Sequence, residues 1–263
     1  MSVGLIVTDL DGTLLDHDSY SYAEALPALD AIRERGLPLV LASSKTRLEM
    51  AGLHGELGLR APFICENGAA ICTPVGDGFE LQALAPARDE VLAAIRELRE
   101  AAGYRFTGFA DCDAEGIAGM TGLDSAAAAL AGRREFSEPL RWEDSPERLD
   151  VFRRELAERG LVAQQGGRFL SVSGPADKGQ ALARLRAQYG GDELSVVALG
   201  DSPNDATMLA AADMAVIIAS ARLADIEISG PRRVIRTTLP GPAGWRDAIL
   251  ELLSEPGSAM AAK

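Results

Sequence analysis

Residues Asp9-Leu10-Asp11-Gly12-Thr13 place two carboxylates one residue apart, directly after the apolar run Gly4-Leu5-Ile6-Val7-Thr8. A run that is apolar at consecutive positions reads as a parallel strand buried on both faces. Asp9 and Asp11 therefore leave the end of a buried strand pointing the same way. One carboxylate can attack phosphorus as a nucleophile while its neighbour protonates the departing oxygen. Gly12 allows a sharp turn that brings backbone amides up to a phosphate. Asp-x-Asp alone is also the composition of an ordinary turn. The strand before it and Gly-Thr after it favour catalysis.

Three further groups stand where other strands should end. Ser43-Ser44-Lys45-Thr46 follows the run LPLVLA at 37–42. A hydroxyl and the amides of a helix start form a seat for an anion, although a serine N-cap would explain the same residues. Lys178, within Ala176-Asp177-Lys178-Gly179, could hold a nucleophilic carboxylate beside a phosphate and offset their repulsion. A surface lysine is the alternative. Gly200-Asp201-Ser202-Pro203-Asn204-Asp205 follows LSVVAL at 194–199 and adds two carboxylates and an amide at a helix start. Mg²⁺ takes oxygen ligands and keeps several waters, so one or two aspartates at each strand end suffice to hold it. Aspartates also gather at helix N-termini for dipole reasons, but GDSPND is far more specific than that preference.

For these four groups to meet, strands must carry them to one edge of one sheet. Short apolar runs alternate with amphipathic segments, the rhythm of a parallel α/β sheet. In open sheets of this kind the ligand crevice lies beyond the carboxyl ends of the strands. Strands are expected at 4–8, 37–42 and 62–65, and helices over 23–35 and 45–57. The rhythm returns with a helix over 177–189, a strand at 194–199 and a helix over 203–212. Short strands at 214–218 and 234–236 and a closing helix over 243–253 complete it.

Between these halves, residues 82–172 change texture. A helix over 88–101, a strand at 104–109 and two short helices within 113–132 come first. A strand at 136–142 with one wet face, a helix over 146–159 and a hairpin turning at Gly166-Gly167 follow. The stretch reads as an inserted α+β module, an antiparallel sheet with helices on one side. It is set into a core made of residues 1–81 and 173–263. The final PGSAMAAK is expected to fray.

The 263 residues are 47% hydrophobic and 25% charged, ordinary for a globular chain long enough for a core and a second module. A net charge of −13 with no Lys/Arg cluster argues against nucleic acid as a partner. An anionic small substrate is still compatible if a bound cation inverts the field locally. Cys65, Cys72 and Cys112 form no CxxC pair, and His17 and His54 are too few for a His-rich metal site. The cysteines read as buried thiols of a reducing compartment. No apolar run reaches the ~18 residues that cross a bilayer, and the N-terminal stretch is too soon acidic for a signal peptide. A soluble, cytoplasmic protein with no membrane partner is expected, of unspecified oligomeric state.

In order and placement, DLDGT, a serine after the second strand, a lone lysine and GDxxND closely resemble the haloacid-dehalogenase superfamily. The long interval between Ser43 and Lys178 resembles the branch with a large inserted cap, which contains many sugar phosphatases. Finer features are similar to the mannosyl-3-phosphoglycerate phosphatase family. These are Ser43-Ser44-Lys45-Thr46 where relatives carry Thr-Gly-Arg, Glu66-Asn67-Gly68, REFSEP at 134–139, Gly167-Arg168-Phe169, and Gly241-Pro242-Ala243-Gly244-Trp245.

The resemblance implies a Rossmann-like α/β core with an α+β cap. It also implies a Mg²⁺-dependent phosphomonoester hydrolase working through an aspartyl phosphate. Asp9 is then the nucleophile and a Mg²⁺ ligand, and Asp11 the acid and base with its carbonyl on the metal. Ser43 and Lys178 bind the transferring phosphoryl group. Asp201 ligates Mg²⁺, supported by Asn204 and Asp205. Ser44, Lys45, Asn67, Arg168 and Asn204 would bind a phosphorylated sugar–glycerate substrate. Arg168 suits a carboxylate as a bidentate partner, or is a solvated strand arginine; Lys45 and Asn67, on core loops, are better placed. A phosphatase of another phosphosugar, a phosphomutase and a catalytically silent metal- or phosphate-binding regulator are the competing readings. The last has no need for both Asp9 and Asp11.

Overall fold

The apolar runs become strands in a computed structural model of the chain, which describes residues 3–220 and 226–255. The strands are β1 (Leu5–Thr8), β2 (Leu39–Ala42), β3 (Phe63–Cys65), β4 (Ala70–Val75), β5 (Gly78–Ala83), β6 (Phe106–Gly108), β7 (Ser137–Trp142), β8 (Val162–Gly166), β9 (Phe169–Ser173), β10 (Val196–Gly200), β11 (Met214–Ala219) and β12 (Arg233–Pro240). The helices are α1 (Leu26–Glu34), α2 (Arg47–Glu56), α3 (Arg88–Ala102), α4 (Ala114–Thr121), α5 (Ser125–Ala131), α6 (Pro146–Glu158), α7 (Lys178–Tyr189), α8 (Ala206–Ala210) and α9 (Gly241–Ser254).

Among the described residues the larger sheet has the order β12-β11-β10-β1-β2-β3-β4-β5. It is parallel from β12 to β3 and antiparallel over the last two strands. The chain runs outward from β1 to β2 on one side and returns beside β1 as β10 on the other. That reversal opens a crevice at the strand ends. Alternation along each strand feeds two buried layers. Ile6, Leu41 and Leu199 pack with α1 and α9, while Val7, Val40 and Ala198 pack with α7 and α8.

Trp245 of α9 is fully buried beneath β1. Its indole Nε1 donates to Thr8 Oγ1 at 2.9 Å, and that hydroxyl donates to the Asp9 carbonyl at 2.8 Å. The closing helix thus props the strand end that carries Asp9. Trp245→Ala is expected to destabilise the fold by about 3–5 kcal/mol through lost packing and a residual cavity. Urea denaturation measures this, and a loss well under 1 kcal/mol would mean that α9 contributes little to the sheet.

The smaller sheet, β6-β7-β9-β8, is antiparallel. Helices α3 and α6 cover one face through Ile95, Phe152 and Leu156 against Leu140, Leu170 and Val172. Ile117, Ala128 and Ala131 of α4 and α5 form another cluster with Phe109 and Phe169. Phe169 and Leu170 are consecutive on β9 and so point to opposite faces. Helices therefore lie on both faces, not on one as the sequence pattern suggested. In consequence β7 has no wet face along its first four residues, which are all buried. Glu138 lies there with its carboxylate fully covered, bound by Arg88 at 2.5 Å and by the Ala110 amide at 2.7 Å.

Several boundaries move. The β4–β5 hairpin is an addition to the expected strands: Pro74 argues against a strand, but it lies where β4 has run past its pairing with β3 at Cys72 and is paired with β5 alone. The helices expected at 23–35 and 203–212 each begin as a 3-10 turn, at Ala23–Ala25 and Pro203–Asp205. Cys65 and Cys72 are buried, but Cys112 is only half-buried. PGSAMAAK lies outside the described residues. Among those described, no helix is long and apolar enough to cross a membrane.

Candidate active site

Register brings the acidic motifs together. Thr8 pairs with Leu199 across β1 and β10, and the Asp9 amide donates to the Leu199 carbonyl at 2.9 Å. Asp9 and Asp201 therefore emerge from neighbouring strand ends. Carboxylate oxygens of Asp9, Asp201 and Asp205 all lie within 4.8 Å of one another. Gly12 (φ +80°) makes this approach possible, since a Cβ there would stand 2.5 Å from Asp201 Oδ2.

Lys178 opens α7, whose N-cap is Asp177. It is fully buried and is not a surface lysine. Its ammonium donates to Asp9 Oδ1 at 2.6 Å and to Asp205 Oδ1 at 2.7 Å. Asp205 Oδ2 accepts from the amides of Asp201 (3.2 Å) and Ser202 (3.1 Å) and from Ser202 Oγ (3.0 Å). Both oxygens of Asp205 are thus engaged, and it brackets the Asp201 turn against Lys178.

Ser43 is buried, and its Oγ accepts from the Lys45 amide at 3.2 Å. The serine-cap alternative fails because Thr46 caps α2, in a reciprocal box with Glu49. Lys45 Nζ reaches Asp11 Oδ2 at 2.8 Å. Asn67 accepts at Oδ1 from Asn204 Nδ2 at 3.2 Å, so the loops after β3 and β10 meet. Asn204 also bonds Ser202 Oγ. Ser44 is exposed, and its carbonyl is taken by Arg134 of the inserted segment at 2.8 Å. Arg168 lies in the two-residue turn between β8 and β9, not in a strand, and donates to the Thr121 carbonyl at 2.5 Å. Among the described residues, no hydrogen bond or ion pair joins Arg168 to the Asp9 group.

Charge is unbalanced here. Burial, then the nearby Asp205 carboxylate, pushes the Asp9 carboxyl up to about 8 against the pull of Lys178. Burial and Asp205 likewise raise Asp201 to about 7. Burial disfavours the Lys178 ammonium, but Asp205 and Asp9 outweigh it, so its pKa rises. For Lys45 too, burial is overcome by Asp11 and the shift is upward. Fully ionised, the three clustered carboxylates would exceed the one ammonium among them by two charges, and the raised Asp9 and Asp201 express the cost of that excess. Asp11 Oδ1 is buried and accepts no hydrogen bond among the described residues.

A family model described as haloacid dehalogenase-like hydrolase matches residues 6–107 and 140–226. The chain belongs to the haloacid dehalogenase-like hydrolases. This hydrolase is 35% identical to a curated relative from Methanococcoides burtonii, over 95% of this chain and 97% of the relative. That relative is a glucosyl-3-phosphoglycerate/mannosyl-3-phosphoglycerate phosphatase. A haloacid dehalogenase-like hydrolase from Bacteroides thetaiotaomicron shares the fold, with a TM-score of 0.71 at 20% identity, covering 95% of this chain and 100% of that one. The sucrose-phosphatase of Synechocystis, solved with sucrose and phosphate, gives a TM-score of 0.62 at 16% identity over 96% and 98% of the two chains.

The hydrolase also holds residues that motif reading did not assign. Glu66 is buried, and its carboxylate accepts from the amides of Glu135 (2.8 Å) and Phe136 (3.2 Å) and from Ser137 Oγ (2.5 Å). Thr46 Oγ1 donates to the Leu130 carbonyl at 3.1 Å, and Arg47 pairs with Glu135 at 2.8 Å. The segment carrying Leu130 to Ser137 is thereby fastened to the loops beside Ser43. Glu66 was detectable as an acid directly after the apolar Phe63-Ile64-Cys65, a position where burial demands a partner.

Proposed function

We propose that this hydrolase removes phosphate from mannosyl-3-phosphoglycerate or its glucosyl counterpart, using Mg²⁺ and a transient aspartyl phosphate on Asp9. The observation that carries the substrate class is the 35% identity with the M. burtonii phosphatase along nearly the whole of both chains. The acidic cluster supports the metal. A cluster with more carboxylates than ammonium groups, all hard oxygen donors, suits a divalent cation with several waters. Asp9 and Asp201 would hold it with the Asp11 carbonyl, while Asp205, already saturated, orients them. When bound, Mg²⁺ supplies charge neutralisation for the phosphoryl oxygens.

The remaining steps belong to the protein's own groups. Lys178 holds Asp9 Oδ1 and leaves the second oxygen to attack phosphorus. Asp11 delivers a proton to the departing alkoxide, then takes one from the water that hydrolyses the acyl phosphate. Ser43, at the start of the loop leading to α2, binds the phosphoryl group. Residues 82–172 act as the cap that selects the leaving alcohol and excludes bulk water. Ser44, Lys45, Asn67, Asn204 and Arg168 are the candidate contacts to that alcohol. Arg168 has the weakest geometric support.

Phosphate release across phosphosugars and glycosyl phosphoglycerates tests the reading. Turnover is expected on the glycosyl-3-phosphoglycerates, abolished by EDTA and restored by Mg²⁺. Full activity in metal-free protein, or similar efficiency on many unrelated esters, would refute it.

A further inference from the structure

Among the described residues, three that are not glycine have positive φ: Tyr20 (56°), Glu66 (48°) and Asn67 (58°). Glu66 and Asn67 line the loop that meets Ser43 and Asn204. Strained backbone of this kind persists where the surroundings over-determine it and clusters at functional sites. Tyr20 lies apart from that loop. A bulky aromatic is ill suited to the left-handed region, and this one is 48% exposed, so burial does not compensate.

The turn is nonetheless closely built. Asp16 Oδ1 accepts from the Ser19 amide at 2.8 Å and from Ser19 Oγ at 2.7 Å. The Tyr20 amide donates to the Asp16 carbonyl, and the Asp16 amide to the Ser21 carbonyl, each at 2.9 Å. These bonds hold the Tyr20 ring over the Lys45 ammonium, 5.1 Å from the ring centroid. Lys45 in turn touches Asp11 at 2.8 Å. The leaving alcohol must lie against Asp11 to receive its proton, so Tyr20 stands within about one sugar ring of that alcohol.

The geometry points to Tyr20 as a specificity-determining residue, the platform against which the glycosyl part of the leaving alcohol packs. This inference rests on the phosphosugar reading above. An aromatic ring offers a flat apolar surface to a sugar, whose ring has C–H faces. The ammonium under the ring fixes its position by cation–π attraction. Strain in the turn is the local consequence of keeping it there.

The test compares a glycosyl-3-phosphoglycerate with acetyl phosphate, whose leaving group is too small to reach Tyr20. Tyr20→Gly suits the left-handed backbone, and Tyr20→Asn tolerates it, so both retain the turn. In each, kcat/KM for the glycosyl ester is expected to fall about tenfold or more, mostly through KM, with acetyl phosphate changed less than about threefold. Tyr20→Phe should stay within about threefold of wild type on both substrates. An equal fall on both substrates would overturn the inference, because Tyr20 would then act through Lys45 and Asp11. No fall on either would overturn it as well. If the wild-type enzyme hydrolyses no glycosyl phosphoglycerate, the substrate reading fails before any Tyr20 variant is measured.

Discussion

Asp9→Asn is expected to lose turnover by a factor on the order of 10⁴ or more, because an amide is a poor nucleophile. The phosphoenzyme should disappear with it. Asp11→Asn should behave differently. An activated aryl phosphate needs little protonation to leave, so phosphorylation by it should suffer less than by a sugar ester. Hydrolysis of the acyl phosphate would still lack its base, and labelled phosphate should accumulate on the protein. Rapid acid quench and peptide mapping locate the label. Label on a residue other than Asp9, or undiminished turnover in Asp9→Asn, would overthrow the assignment. Asp9 is buried but lies at a strand end, and among the described residues Lys178 accounts for its one side-chain hydrogen bond, so the variant should fold.

Lys178→Met should affect stability and catalysis together. The ammonium is fully buried between Asp9 and Asp205, so its removal leaves buried carboxylates facing one another. Breaking such a pair costs about 3–5 kcal/mol, a fall in melting midpoint on the order of 10 °C. Added Mg²⁺ should recover more of that loss in the variant than it adds to the wild type, since a cation binding only the folded state stabilises it by mass action. Turnover should drop by about 10² to 10³ even at saturating Mg²⁺, because the oriented donor at Asp9 is gone. Melting curves with EDTA and with Mg²⁺ measure both effects. A variant as stable as wild type in EDTA would show that Lys178 does not balance the cluster.

What was legible in the sequence was local. DLDGT, Ser43 and GDSPND each follow an apolar run that could hardly be anything but a buried strand, and parallel register then brings them together. Lys178 gave no sign of its burial, because its partners lie far away in the chain. The serine-cap question was settled by Thr46, three residues beyond Ser43, through its box with Glu49. Placing helices on one face of the smaller sheet failed for a physical reason. Alanine-rich α4 and α5 have weak apolar stripes, and nothing in them says which sheet face they cover. Pro74 hid the β4–β5 hairpin in the same way, being tolerated where β4 is paired on one side only but a poor advertisement for a strand. Tyr20 stands out only through its backbone conformation, and Glu66 and Trp245, though each falls in a recognisable motif, act through long-range bonds that the motif does not reveal.

The family model skips residues 108–139, and that interval contains α4, α5 and most of the segment that Glu66, Thr46 and Arg47 grip. In this chain the larger sheet is thus fastened to the smaller one partly through a stretch that lies outside the family match. A change in the backbone of this stretch would also change the bonds that hold it to Glu66, Thr46 and Arg47. Grafting 108–139 between relatives should therefore succeed only when Glu66, Thr46 and Arg47 travel with it.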